Sequence, residues 1–169
     1  MNELNQELKS QAIALGLCNQ WQKEWKGDWN TATLADRMYK GIDFCLQHHW
    51  PTNAFLKKNF SLEELRTNNI YIDDKRSVLN PKHSLILGKS EVKIRFNGAY
   101  AGNIYIRDKS VVELTAKTRS FVIVHLFDEA SINATQQDLA NITIIKHSKK
   151  SLAIGVGKVK FREEFDYCC

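Results

Sequence analysis

The 169 residues carry 24 Lys and Arg against 19 Asp and Glu, a formal net charge of +5, with 43% hydrophobic residues. That is the length of about one ordinary domain, enough for a real core but too short for two large independent domains. No apolar run approaches the ~18 residues of a membrane-spanning helix, and Met1 to Glu7 lacks the basic start and apolar segment of a secretory signal, so a cytoplasmic, non-membrane protein is expected. Four cysteines, Cys18, Cys45, Cys168 and Cys169, are too few and too uneven for a disulfide framework and read as structural thiols.

Taken in order, Leu4, Leu8, Ala12 and Leu15 recur at helical spacing and stop at Gly16, which predicts a helix over residues 3–15. Leu17, Trp21 and Trp25 continue at intervals of four as a packing stripe, and Gly27-Asp28 interrupts them. A further helix is expected from Thr33, with Asp36 completing a capping box, through Leu34, Met38, Ile42, Cys45 and Leu46 to a stop at Pro51. Thr52 can cap a short helix bearing Phe55, Leu56 and Phe60, Ser61 with Glu64 repeats the capping signature, and the helical half closes at Asn68-Asn69.

From Ile70 the pattern becomes alternating and then periodic. Val92, Val112, Ile132 and Leu152 form a ladder at twenty-residue steps, with Ile72 one step earlier. Ile94, Leu114, Ala134 and Ile154 form a second ladder, and Ile104, Val124 and Ile144 a third. Self-similarity of this kind signals stacked units that bury their apolar faces against one another. The expectation is an α+β chain: a helical cap packed on a short parallel β-helix of twenty-residue coils, right-handed because six-residue subrepeats are lacking. The domains are residues 1–69 (helical), 70–162 (solenoid) and 163–169 (charged tail). Phe121 to Phe127 is apolar on both faces, so the helices are expected to cover that side. Strand edges at the column ends are expected to be guarded by those helices and by Arg162, Glu163, Glu164 and Asp166, giving a monomer or a small closed oligomer.

The run Lys40-Gly41-Ile42-Asp43-Phe44-Cys45, followed by His48-His49-Trp50-Pro51 and Asn59-Phe60, resembles a group of uncharacterised proteins from Bacteroidetes genomes and their mobile elements. Leu17, Cys18, Trp21 and Trp25 match a Leu-Cys-x-x-Trp-x-x-x-Trp stretch of that group, and Asn97-Gly98 with Gly102 to Arg107 matches its solenoid half. The resemblance implies a bacterial cytosolic setting and a phage or mobile-element origin, but no assigned chemistry. The Cys168-Cys169 ending departs from the group.

No catalytic constellation emerges. The adjacent pairs Asp73-Asp74, Asp128-Glu129 and Glu163-Glu164 point to opposite strand faces, and His48 and His49 diverge by ~100° on a helix. Asp108 and Asp128 stack at the twenty-residue interval as the acids of β-helical polysaccharide-cleaving enzymes do, yet corner aspartates satisfying turn amides explain them better. His125 reads as a satisfied, partly buried imidazole. Neither catalytic residues nor a metal site nor a cofactor is expected.

Charge is more informative. Residues 75–162 hold sixteen Lys and Arg against six Asp and Glu, whereas residues 1–60 hold seven against six. Lys89, Lys109 and Lys149 share one corner of the coil, with Glu129 between them, and Lys93 and Arg95 share an outward strand face. Lys89, Lys93, Arg95 and Lys109 are the expected partner-binding residues, part of a basic stripe suited to an anionic surface. The leading expectation is a non-enzymatic binding protein that docks on a host protein or ribonucleoprotein, in the manner of an anti-defence or anti-CRISPR inhibitor. Direct nucleic-acid binding is the alternative, and a small glycan-active enzyme the second alternative.

Overall fold

The computed structural model describes residues 1–165 and divides the chain into two units, the first Met1–Asn68 and the second beginning at Asn69. No helix among the described residues is long and apolar enough to cross a membrane.

The first unit holds six helices: α1 (Glu3–Ala14), α2 (Asn19–Glu24), α3 (Thr31–Lys40), α4 (Ile42–His48), α5 (Asn53–Asn59) and α6 (Leu62–Thr67). At the end of α1 the Leu17 amide donates to the Ala12 carbonyl and the Gly16 amide to Ile13, with Gly16 at φ 94°, which is the left-handed stop expected of that glycine. The third predicted helix differs in two ways. Its cap is Asn30, whose side chain accepts from the Thr33 amide, and it breaks at Gly41 into α3 and α4. The last two helices begin where the capping residues place them: Thr52 accepts from Phe55, and Ser61 and Glu64 form a complete capping box. Leu8, Ala12, Leu34, Met38, Leu46, Leu56 and Leu65 are all buried in this unit.

The second unit is a parallel solenoid. Its eleven strands among the described residues are β1 (Ile70–Ile72), β2 (Lys75–Leu79), β3 (His83–Leu87), β4 (Glu91–Asn97), β5 (Ala101–Ile106), β6 (Val111–Lys117), β7 (Phe121–Leu126), β8 (Ser131–Gln136), β9 (Asn141–Lys146), β10 (Leu152–Val156) and β11 (Lys160–Glu163). Odd strands build one sheet and even strands the other, every pairing parallel, so each turn of the chain adds one strand to each sheet. Between them lies a core of Val92, Ile94, Val112, Leu114, Val124, Ile132 and Ile144, all buried. Inward Val122, Val124 and Leu126 alternate with outward, half-exposed Phe121 and partly buried Ile123 and His125.

The twenty-residue register holds from β3 to β9 and fails at both ends. Ile72 is not a rung below Val92: it pairs with Leu87 in the odd sheet, and the residue beside Val92 is Arg76. Toward the other end, Leu152 pairs with Ser131 and Ile154 with Asn133, so Ala153 and Gly155 take the places beside Ile132 and Ala134. The cause is one extra residue at a corner. Four residues, Phe127 to Ala130, separate β7 from β8, but five, His147 to Ser151, separate β9 from β10. A one-residue slip in a strand sends every side chain to the opposite face. Leu152, Ile154 and Val156 are accordingly 67%, 64% and 61% exposed.

Gly155 shows how the column ends. A Cβ there would lie 2.7 Å from the Phe161 ring and 2.9 Å from Val159, so the absent side chain is what lets Phe161, on β11, fold across the last rung. The charged residues expected beyond the last coil are partly within it. Arg162 and Glu163 belong to β11, Glu163 pairs with Lys146 at 3.6 Å, and the Glu164 amide still donates to the Lys146 carbonyl. Asp166, Cys168 and Cys169 lie outside the described residues.

Candidate functional site

The outward face of the even sheet can be read rung by rung. One row runs Lys75, Glu91, Val111, Ser131, Leu152, a second Ser77, Lys93, Glu113, Asn133, Ile154, and a third Leu79, Arg95, Thr115, Thr135, Val156. The face therefore passes from rungs on β2, β4 and β6 where charges mix with the exposed Leu79 and Val111, through hydroxyl and amide side chains on β8, to an all-aliphatic stripe on β10. Alternation along each strand produces this outward set, and the corner insertion produces the stripe.

All four expected binding residues belong to this region. Lys93 and Arg95 project from β4, and Lys89 and Lys109 occupy successive corners, where the Lys109 amide donates to Gly88 and the Glu129 amide to Asp108. Their charge is only half available. Lys93 pairs with Glu113 at 2.9 Å, Lys109 approaches Glu129 at 3.7 Å, and Lys75 pairs with Glu91 at 2.7 Å. The hydrogen bond between Lys75 and Glu91 raises the ammonium pKa and lowers that of the carboxyl, so both stay ionised across the neutral range. Lys89 and Arg95 form no ion pair among the described residues. A shallow groove of about 360 Å³ lies along Lys75, Ser77, Glu91, Lys93, Val111 and Glu113.

The stacked aspartates are corner devices. Asp108 sits at φ 58° and Asp128 at φ 51°, with the Asp108 carboxylate accepting from the Gly88 amide at 2.6 Å and the Asp128 carboxylate from the Asp108 amide at 3.1 Å. Each thus binds a turn amide of the preceding coil, and Asp128 also meets the buried Arg107 guanidinium at 3.3 Å. On the odd sheet His125 stacks on Tyr105 with centroids 5.0 Å apart, and its Nδ1 lies 3.0 Å from Nε2 of His147. Nδ1 of His147 is 2.9 Å from the Glu164 carbonyl, which can only accept, so His147 donates there and, when neutral, accepts from His125. His125 is the satisfied imidazole that its position implied. No cluster of three or more His, Cys, Asp or Glu able to hold a metal occurs among the described residues.

Sequence reasoning missed a second feature, inside the helical unit. Trp21, Trp25, Trp29, Phe44 and Trp50 line a cavity of about 210 Å³. Asn5, fully buried on α1, anchors its wall: its carbonyl accepts from the Trp29 amide at 2.9 Å and the Trp25 indole at 3.4 Å, and its amide donates to the Trp29 carbonyl. Trp25 caps α2 instead of continuing it and stacks on Trp29 at 4.0 Å. Cys45, also on the wall, is buried, and desolvation pushes its thiol up to about 12. The signal present in the sequence was density, all four tryptophans lying between positions 21 and 50. A stripe at intervals of four could not reveal that Trp29 and Trp50 turn back onto the same space.

Comparison with known proteins gives no relative from which a role could be carried over: no family model, no curated protein and no solved structure matches this chain.

Proposed function

We propose that this is a non-enzymatic binding protein that docks on another protein through the outward face of its even sheet. The observation that carries the reading is the composition of that face, an exposed aliphatic stripe continuous with polar rows and then with mixed-charge rungs. An apolar patch, here on the edge strand β10, next to polar and charged rungs supplies the two kinds of surface that a protein interface combines. Phosphate backbones are bound instead by cations left free to displace counterions. Here Glu91, Glu113 and Glu129 stand among the lysines and would face the phosphates, which favours a protein surface with both apolar and acidic patches over naked nucleic acid. A host protein or ribonucleoprotein fits that description, and the mobile-element resemblance makes an anti-defence inhibitor the setting for it.

The test is capture from native lysate with the full chain, with and without nuclease, comparing the parent with Ile154→Asp/Val156→Asp and with Lys89→Glu/Arg95→Glu. The expected outcome is a discrete protein partner that survives nuclease, is lost with the aliphatic pair and is weakened more than tenfold by the cationic pair. Capture that disappears with nuclease would move the assignment to nucleic acid. Capture that both folded variants retain in full would remove this face from consideration.

A further inference from the structure

We propose that the aromatic cavity of the helical unit is a binding site for a small, uncharged, planar aromatic molecule carrying a hydrogen-bond acceptor. This site is independent of the docking face on the solenoid. Size comes first. An apolar cavity of roughly 150 Å³ accepts benzene, so about 210 Å³ suits a fused bicycle.

The walls select flat, unsaturated ligands. Trp25 meets Trp50 edge-on with centroids 6.0 Å apart, and Phe44 meets Trp50 edge-on at 5.7 Å, so ring faces and ring edges converge on one space. Aromatic quadrupoles favour these offset and perpendicular contacts, and a planar guest extends the same pattern.

Charge is excluded from both sides. Of the aromatic faces that would attract a cation, those of Trp21 and Trp29 already hold one, since Arg37 lies over Trp21 at 5.6 Å and over Trp29 at 5.4 Å. That guanidinium is in turn matched by Glu24 at 3.0 Å, and hydrogen bonds from Gln20 first and Arg37 second hold the Glu24 carboxyl below its ordinary value. An anion therefore meets a neutralised pair, and a cation meets Arg37.

The acceptor follows from Trp50. It lines the cavity, is 8% exposed, and its buried indole N–H meets no acceptor among the described residues. A buried donor without a partner is costly, and because this nitrogen has almost no accessible surface, a small turn of the Trp50 ring is needed for a guest nitrogen or carbonyl oxygen to recover the bond. Solvent reaches the space past Gly16 and Cys18, which also line it and are exposed.

The experiment titrates the full chain with quinoline, isoquinoline and their acceptor-free isostere naphthalene, using ligand-detected saturation-transfer NMR and competition at neutral pH. Saturable binding is expected, with at least one of the two nitrogen heterocycles favoured about fivefold or more over naphthalene. Trp50→Phe should remove that preference while naphthalene still binds. Gly41→Leu should block all three, because Gly41 lines the cavity and the nearest atoms to a Cβ there, on Trp21 and the Arg37 carbonyl, lie at an ordinary 3.5 Å. Should Trp50→Phe fail to fold, the heterocycle preference in the parent and its loss in Gly41→Leu carry the test. No saturable binding of any probe, equal affinity for all three, or undiminished binding to a folded Gly41→Leu would overturn the proposal.

Discussion

The middle coils and the last coil of the solenoid are built from nearly the same strand pattern, yet they use it in opposite ways. In β4, β6 and β8 the alternation sends Val92, Val112 and Ile132 into the core. In β10 the same count of residues arrives one position late, and the aliphatic side chains face outward. Composition alone would assign both segments to the core. The number of residues at a corner decides which become core and which become surface, so the twenty-residue ladder changes from burying to exposing its apolar rungs where it slips.

The largest effect that tests this contrast comes from placing the same charge at two rungs of the apparent ladder system. Val112 is fully buried, and Val112→Asp puts an unpaired carboxylate in the core, at an expected cost of about 4 kcal/mol. Ile154→Asp, at a position the uniform repeat would also bury, should change stability by no more than about 0.5 kcal/mol. Urea unfolding of the two variants reads the difference. Similar losses at both would mean that β10 keeps the regular register after all.

The corners come next in size. Asp108→Ala removes the acceptor for the Gly88 amide and leaves an alanine in a left-handed conformation, with an expected loss of about 2 kcal/mol. Asp108→Gly loses the same bond but relieves the backbone, so it should be the milder change by about 1 kcal/mol. Thermal melts that rank the two in the reverse order would show that the carboxylate acts through something other than the turn.

A smaller but more direct change restores the count. Deleting Lys150 returns the corner between β9 and β10 to four residues and should turn Leu152, Ile154 and Val156 inward. With the native cysteines replaced by serine, Ile154→Cys should react with a thiol reagent at least tenfold more slowly in the deletion background than in the parent. Equal rates would show that the extra corner residue does not set the register.

The sequence carried much of the fold because its signals were local or repeated. The capping box at Ser61 and Glu64, the stop at Gly16 and the ladder from Val92 through Ile132 each rest on spacing along the chain. What escaped rests on small shifts and on return paths. A single added residue between His147 and Ser151 is invisible in a count of apolar residues, so the spacing alone places Leu152 and Ile154 in the core, where the structure does not have them. The twenty-residue spacing places Glu129 at the same corner as Lys109 and the structure has them there, but the ion pair of Lys93 with Glu113 joins neighbouring strands and is fixed by register and not by proximity in the sequence. The tryptophan cavity escaped for a related reason, since Asn5 brings Trp25 and Trp29 to α1 across twenty or more residues.

The smallest stability effect sharpens the contrast between the charged and aliphatic ends of the proposed docking face. Lys93 and Glu113 are both more than half exposed, and an exposed ion pair contributes only about 0–1 kcal/mol. Glu113→Lys sets two ammonium groups facing each other on adjacent strands, so unfolding free energy should fall by no more than about 0.5 kcal/mol, and added salt should recover most of it. Binding should respond differently. The same substitution increases the net positive charge of the face two strands away from the aliphatic stripe, so association with an acidic protein surface should become faster and more sensitive to salt while dissociation changes little. Kinetic measurements with the captured partner at two ionic strengths distinguish the cases: a change confined to dissociation would place Glu113 in the buried centre of the interface, and no change in either rate would put the charged rungs outside it.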